Sequence, residues 1–440
     1  MNCCLRQVPI RLAYAVGACL LGIGTATGAA AEIDAQRVTA LVQQLNADDA
    51  GDRDAAEREL TELGRGDADA LLAALPSPDQ RMPPEVAMRL DRIRAAVQQD
   101  VAESALSASR LTLDMQDAKL ADIFAAIEKQ TGNRLIDFRE QFGQQPADVP
   151  LTVTADDADF WPVVDRLLDD ANLSPYPYSG EDGLGIVERP PEELRRSGRA
   201  TYVGPLRLEP IAVQAQRGLR SPEQSNLHVG LEASWEPRLE PIALSLDAAS
   251  LQVTADDGRS IPLATQMNVI DVELQPGSFA SDLTLPLELP AREATMLSTI
   301  AGTLTVLAPG KKAEFKFDKL KDAEGVEQTI AGVTVAVDRV RKNGPVWEVY
   351  MRVRVAGPET GLESHRSWVY QNLAWLVNPA GEKVEDVGIE TVSQGVDEIG
   401  FAYIYEIPED DIAGYQWIYQ SPAAIMSVPL EFELHDIPLP

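Results

Sequence analysis

Between Leu111 and Leu173 the apolar positions switch repeatedly between two periods. Leu111, Leu113 and Met115 alternate, as one face of a strand requires. Leu120, Ile123, Phe124 and Ile127 then recur at helical spacing and form one stripe. Asp117 stands where an N-cap would, and Gly132 where a helix stop would. Leu151 and Val153 restart the alternation. Phe160, Val163, Val164, Leu167 and Leu168 make a second helical stripe, with Pro162 in its first turn. The pattern predicts strand, helix, strand, strand, helix.

The blocks LTLDMQDAKLADIFAAIEKQTG and LTVTADDADFWPVVDRLLDDANL resemble the secretin and TonB short N-terminal domain, a small β-α-β-β-α module of exported bacterial proteins. The resemblance implies docking of other proteins or building of ring layers, and no chemistry. It covers residues 110–189 when the next segment is included. That segment, PYPYSGEDGLGIVERP, reads as a hairpin around Gly180 and Gly183 that adds edge strands. Pro190, Pro191 and the polar run to Arg199 read as a linker.

The flanks differ in kind. Residues 33–109 read as helices. Val38, Leu41, Val42 and Leu45 form one stripe, and residues 52–63 and 67–75 form two more helices. Pro83 and Pro84 open a longer one with Val86, Leu90, Ile93 and Val97. This segment is similar to HEAT-like repeats, with too few units for a solenoid. Asp48, Asp49, Asp52 and Asp54 lack the spacing and central glycine of a calcium loop, and read as a solvated cap.

Beyond residue 200 the chain is rich in short strands. Runs at 206–213, 227–234, 242–246, 251–254, 283–289 and 302–307 are followed by AGVTVAVDRV, WEVYMRVRV, WVYQNLAWLV, FAYIYEIP, YQWIYQSP and VPLEFELHDIP. The layout repeats. PLELP matches IYEIP, GTLTVLAP matches YQWIYQSP, and AEFKFDKL matches LEFELHDI. Short strands without helices argue for two sandwiches, at 200–320 and 326–440. The fold class is therefore multidomain α+β: a helical segment, a small β-α-β-β-α domain, then two all-β sandwich-like domains. The whole arrangement resembles multidomain proteins exported by planctomycete-type bacteria, which adds architecture and compartment but no activity.

Charge narrows the partners. The chain has 69 Asp and Glu against 38 Lys and Arg, a formal net charge of -31. A field of that sign repels phosphate backbones and anionic lipid heads, so nucleic acid is not an expected partner. Residues 1–31 have the anatomy of a signal peptide. Arg6 and Arg11 precede an apolar stretch, and Ala29, Ala30 and Ala31 offer a cleavage site before Glu32. The apolar run is too short for a membrane span, so no span is expected after cleavage. A second reading cleaves before Cys19 and anchors a lipoprotein. Cys3, Cys4 and Cys19 all lie in this region, so the exported chain is expected to lack disulfides and cysteine-bound zinc.

Chemistry is sparse. His228, His365 and His435 are the only histidines and lie far apart, with no metal-binding spacing. No nucleophile elbow, phosphate loop or dinucleotide fingerprint occurs. Paired acids such as Asp169-Asp170, Asp256-Asp257 and Asp410-Asp411 fall at helix ends or turns. The polar run from Glu363 to Trp368 reads as a loop, because neighbours on a strand face opposite ways and form no triad. No catalytic residue, cofactor or metal is expected. Aromatics supply the candidate contacts: Trp368, Tyr403, Tyr405, Tyr415, Trp417 and Tyr419. They form either the core of the last domain or a platform for a sugar or a partner protein.

Three readings follow. The first is a non-catalytic exported protein of the periplasm or envelope that binds another protein or acts as a scaffold. The second binds carbohydrate or cell wall through the aromatics of the last domain. The third is a hydrolase, which needs carboxylates that converge from distant strands.

Overall fold

The computed structural model describes residues 34–76, 82–145, 149–221, 225–355, 366–395, 398–407 and 411–440. The expected signal peptide, the three cysteines, His365 and Asp410 lie outside the described residues. The fold is α+β with strand predominating. The chain divides into two units, up to Leu90 and from Asp91 onward.

In the first unit, helices α1 (Ala35–Gln44), α2 (Ala50–Gly66) and α3 (Ala68–Ala74) bury Val38, Leu41, Leu45, Leu60 and Leu71. The aspartates near residue 50 cap a helix. Asp49 accepts hydrogen bonds from Gly51 N at 2.7 Å and Asp52 N at 3.2 Å. Asp67 does the same for α3 through Ala70 N. Helix α4 covers Pro84–Ala105.

The second unit opens with the small module. Strands β1 (Arg110–Ala118) and β3 (Leu151–Asp159) form a two-stranded antiparallel ladder. Strands β2 (Leu135–Asp137), β5 (Leu184–Glu188) and β4 (Leu173–Tyr176) form a second sheet with β5 in the middle. The hairpin strand β5 is therefore central and not an edge, because β2 pairs with it in parallel. Helix α5 (Leu120–Thr131) packs on β1 and β2, and α6 (Phe160–Asp170) on β3, β1 and β4. Both apolar stripes are buried as expected. Asp117 is not the cap of α5: Lys119 holds that place without a side-chain bond, and Asp117 sits at φ 48° where β1 shifts register. Gly132 does end α5, at φ 73°.

Two sandwich-like halves follow. Strands β6 (Thr201–Val203), β7 (Leu206–Gln216), β8 (Asn226–Trp235) and β12 (Ala280–Leu287) form a four-stranded sheet. It faces β9 (Ala243–Asp247), β10 (Gln252–Ala255), β11 (Val269–Val272) and the first part of β13 (Met296–Phe317). In the second half β14 (Val326–Ile330), β15 (Val333–Asn343), β16 (Val346–Val355), β20 (Glu398–Glu406) and β19 (Gly388–Gln394) form one sheet. Strands β17 (Leu373–Val377) and β18 (Lys383–Glu385), with the first part of β21 (Gln416–Pro438), belong to the other.

Pairing repeats between the halves. The order β6–β7–β8–β12 returns as β14–β15–β16–β20. Strands β7 and β15 shift register at the same place, between Pro210 and Ala212 and between Val337 and Arg339. The matched blocks AEFKFDKL and LEFELHDI open in the second parts of β13 and β21. These two strands pair along nearly their whole length, from Met296 opposite Pro438 to Phe317 opposite Trp417. Each starts in one half and ends in the other. Leu297, Ile300, Phe432 and Leu434 share the first core, while Phe315, Phe317, Trp417 and Tyr419 share the second.

Two strand expectations and one linker expectation change. YQWIYQSP and VPLEFELHDIP are parts of one strand, β21, because the ladder with β13 continues through Pro422 and Pro429. The stretch from Trp368 to Gln371 belongs to a 3-10 turn at Arg366–Gln371, and only Leu373 onward is strand. Residues 190–199 are not a free tether. Arg189 reaches Asp169 at 2.5 Å, and Arg196 lies among Asp165, Glu209 and Glu232 at 3.6–3.7 Å.

One core runs from the small module into the first sandwich half. The indole of Trp161 on α6 donates to Pro205 O at 2.9 Å. Arg207, fully buried, bridges Asp165 of α6 at 2.7 Å and Glu209 of its own strand at 2.6 Å. Glu236, also fully buried, accepts from Ser109 N, Asn133 Nδ2 and Arg238 Nε at 2.7–3.0 Å. Buried charges persist only with such partners.

Candidate functional site

The aromatic candidates form the interior of the last half. Tyr405, Trp417 and Tyr419 are 0% exposed, Tyr403 2%, and Tyr415 and Trp368 5%. The alternation in β20 and β21 puts the rings of Tyr403, Tyr405, Trp417 and Tyr419 into the space between two sheets. Trp417 Nε1 donates to Tyr405 Oη at 2.9 Å, and Asn372 donates to Tyr419 Oη at 2.8 Å. The Trp417 and Tyr419 rings stack with centroids 5.8 Å apart. Burial pushes the pKa of Tyr403, Tyr405 and Tyr419 far above the ordinary tyrosine range. Five of the six are packing residues and offer no platform to a sugar. Trp368 differs, since it borders a groove.

That groove, about 490 Å³, lies where the small module and both sandwich halves meet. Its walls come from residues 180–182, 235, 237, 239–242, 274–279, 368, 371–373 and 420–422. The small module is docked there by Phe279 N, which donates to Pro177 O at 2.9 Å. Gly277 permits the approach: a Cβ on it would lie 3.3 Å from the Gly180 Cα, and its φ of 70° favours glycine. Lys312 joins the halves on the rim through Glu240, 2.6 Å away. Asn372 stiffens the floor by donating to Ser421 Oγ at 3.1 Å as well as to Tyr419.

The groove holds polar groups with no partner among the described residues. The side-chain amides of Gln275, Gln371 and Gln420 bond to nothing among the described residues. Trp235 is 2% exposed, yet its indole N–H also has no partner. Leu373 is 57% exposed at one wall. Glu181 and Asp182 stand at the small-module side, and Asp182 has only Arg134 within reach, at 4.0 Å. Amide donors and acceptors between apolar walls suit recognition better than bond-breaking.

Other candidates are scattered. His228 lies in β8 and His435 in β21, where Glu433 is 3.9 Å away. Asp169 serves the fold through Arg189 and the backbone N–H groups of Arg196 and Ser197. Asp256 accepts from Thr295 Oγ1 at 2.6 Å. Among the described residues no group of three or more His, Cys, Asp or Glu is placed to hold a metal ion. No helix among them is long and apolar enough to cross a membrane. The groove glutamines were not legible beforehand, because isolated glutamines in turns carry no motif and converge only through tertiary structure.

No protein-family model matches the chain, and no curated protein is significantly similar to it.

Proposed function

We propose that this chain is a non-catalytic exported protein of the cell envelope that holds a partner protein. The observation that carries this reading is the groove at the meeting of three modules, with its unpaired amides beside exposed Leu373. A site assembled from three modules is rigid where they lock together, which favours holding over turnover. The signal anatomy at residues 1–31 and the resemblance of residues 110–189 to a docking module support the compartment and the role. The net charge of -31 turns the expectation away from nucleic acid and anionic membrane.

The test is site-specific photo-crosslinking in the producing cells. A crosslinker at Gln371 is compared with one at Leu219, a residue 89% exposed and outside the groove lining. A discrete adduct at Gln371 absent at Leu219, recovered from the envelope fraction, is the expected result. Identical adducts at both positions, none at either, or a cytoplasmic chain would defeat the reading.

A further inference from the structure

Two glutamines elsewhere in the chain show what a free amide does to backbone. Gln130 Oε1 accepts from Thr112 N at 3.0 Å, and its Nε2 donates to Thr112 O at 3.0 Å. Gln328 treats Lys316 the same way, accepting from its N–H at 3.3 Å and donating to its carbonyl at 2.6 Å. Each side-chain amide stands in for one residue of a neighbouring strand, since a primary amide carries a donor and an acceptor side by side. Thr112 falls at a register shift of β1, and Lys316 lies in β13 beyond the stretch that pairs with β9 and β10, so each glutamine covers an edge that no strand covers among the described residues.

We propose that the groove binds an extended peptide segment of the partner, gripped through its backbone by Gln371 and Gln420 and bearing a lysine or arginine toward Glu181 and Asp182. This rests on the reading of the chain as a partner-holding protein. Gln371 and Gln420 have the same chemistry as Gln130 and Gln328 but hold no backbone among the described residues. Trp235 adds an unpaired N–H for a peptide carbonyl. Leu373 and the prolines of the walls, among them Pro276 and Pro422, meet the side chains that alternate along an extended segment. The volume lies within the range of about 300–1,000 Å³ common to binding pockets.

Charge selects the peptide. Glu240 is neutralised by Lys312, but Glu181 has no cationic partner, and the side chain of Asp182 is fully exposed. With -31 on the whole chain, an acidic segment is repelled and a basic one drawn in. The encounter is therefore faster at low salt.

A random heptapeptide library displayed against the intact exported protein tests this. Selected peptides are expected to carry Lys or Arg at one end with alternating apolar positions. The synthetic form of a selected peptide should bind about ten-fold more weakly to the Gln371→Ala/Gln420→Ala double variant. The same loss is expected on N-methylation of its central peptide bond. Affinity should also fall with Glu181→Gln/Asp182→Asn and with added salt. No enrichment, enrichment of acidic peptides, or binding indifferent to both the double variant and N-methylation overturns the proposal. A specific crosslink at Gln371 with any of those results leaves the partner-holding reading intact and removes only the peptide. Loss of the Gln371 crosslink removes both.

Discussion

Gln130, near the end of α5, closes the outer edge of β1 by bonding both the N–H and the carbonyl of Thr112 at 3.0 Å. An unpaired strand edge is a template for another chain, and proteins protect such edges. A strand of a partner would add at such an edge, but at Thr112 a side chain already occupies its place. Gln130→Ala leaves those two groups to water, so the stability cost should be about 1 kcal/mol or less. Self-association is the larger effect. Light scattering across a concentration series should show more dimer for Gln130→Ala than for the parent, and equal curves would show that the edge needs no guard.

Glu236 ties residue 109, the turn after α5 and the first sandwich half together. It is fully buried and is satisfied by Ser109, Asn133 and Arg238. Removing its carboxylate strands these donors, the Arg238 guanidinium among them. Glu236→Ala is expected to cost roughly 3 kcal/mol in denaturant unfolding, within the range for breaking a buried pair. Glu236→Gln, which keeps the shape and an acceptor, should cost less. A loss under about 1 kcal/mol for the alanine variant would mean the module does not depend on this junction.

Acid sensitivity follows from Asp169. Burial pushes its pKa up, but hydrogen bonds from Ser197, from the backbone of Arg196 and from Arg189 outweigh it and hold the carboxyl at about 2. The folded value is thus depressed relative to the unfolded chain. Its contribution is present above the unfolded value near 3.8 and is lost as pH falls toward about 2. That contribution is about 2 kcal/mol at neutral pH. Asp169→Asn should be less stable than the parent at pH 7, and the difference should shrink below pH 4. A constant difference from pH 7 to pH 2 would place the linkage elsewhere.

Local pattern made much of the fold legible. The stripes of α5 and α6 and strands β7 to β10, β12, β13, β15 and β16 follow from periodicity, because each buries a face of its own, whereas β11 and β14 bury little and left no such signal. Three features were hidden. Asp117 looked like a cap, but β1 runs on past it with a register shift and displaces the helix start to Leu120. Tyr403, Tyr405, Trp417 and Tyr419 alternate equally well for a core or a platform, and only the facing sheet decides. The amides of Gln371 and Gln420 lie 49 residues apart in numbering and meet the loop at Gly180 only after the halves assemble. Nothing in their flanking residues signals that convergence.

The ladder between β13 and β21 sets the final prediction. Gly302 stands opposite Phe432, and a Cβ on Gly302 would lie 3.2 Å from the Phe432 ring. The ring thus lies over the glycine and fills the first core, where Phe432 is 5% exposed beside Leu434 and Ile437. These residues follow the second half in sequence but stabilise the first in space. Phe432→Ala should cost about 3–5 kcal/mol, as for other buried aromatic truncations. By hydrogen exchange, the loss of protection is expected in β9, β10 and the first part of β13, more than 100 residues earlier. Strands β15, β16 and β20 should keep theirs. If exchange rises only between residues 326 and 420, the crossing ladder does not couple the halves, and each sandwich is stable on its own.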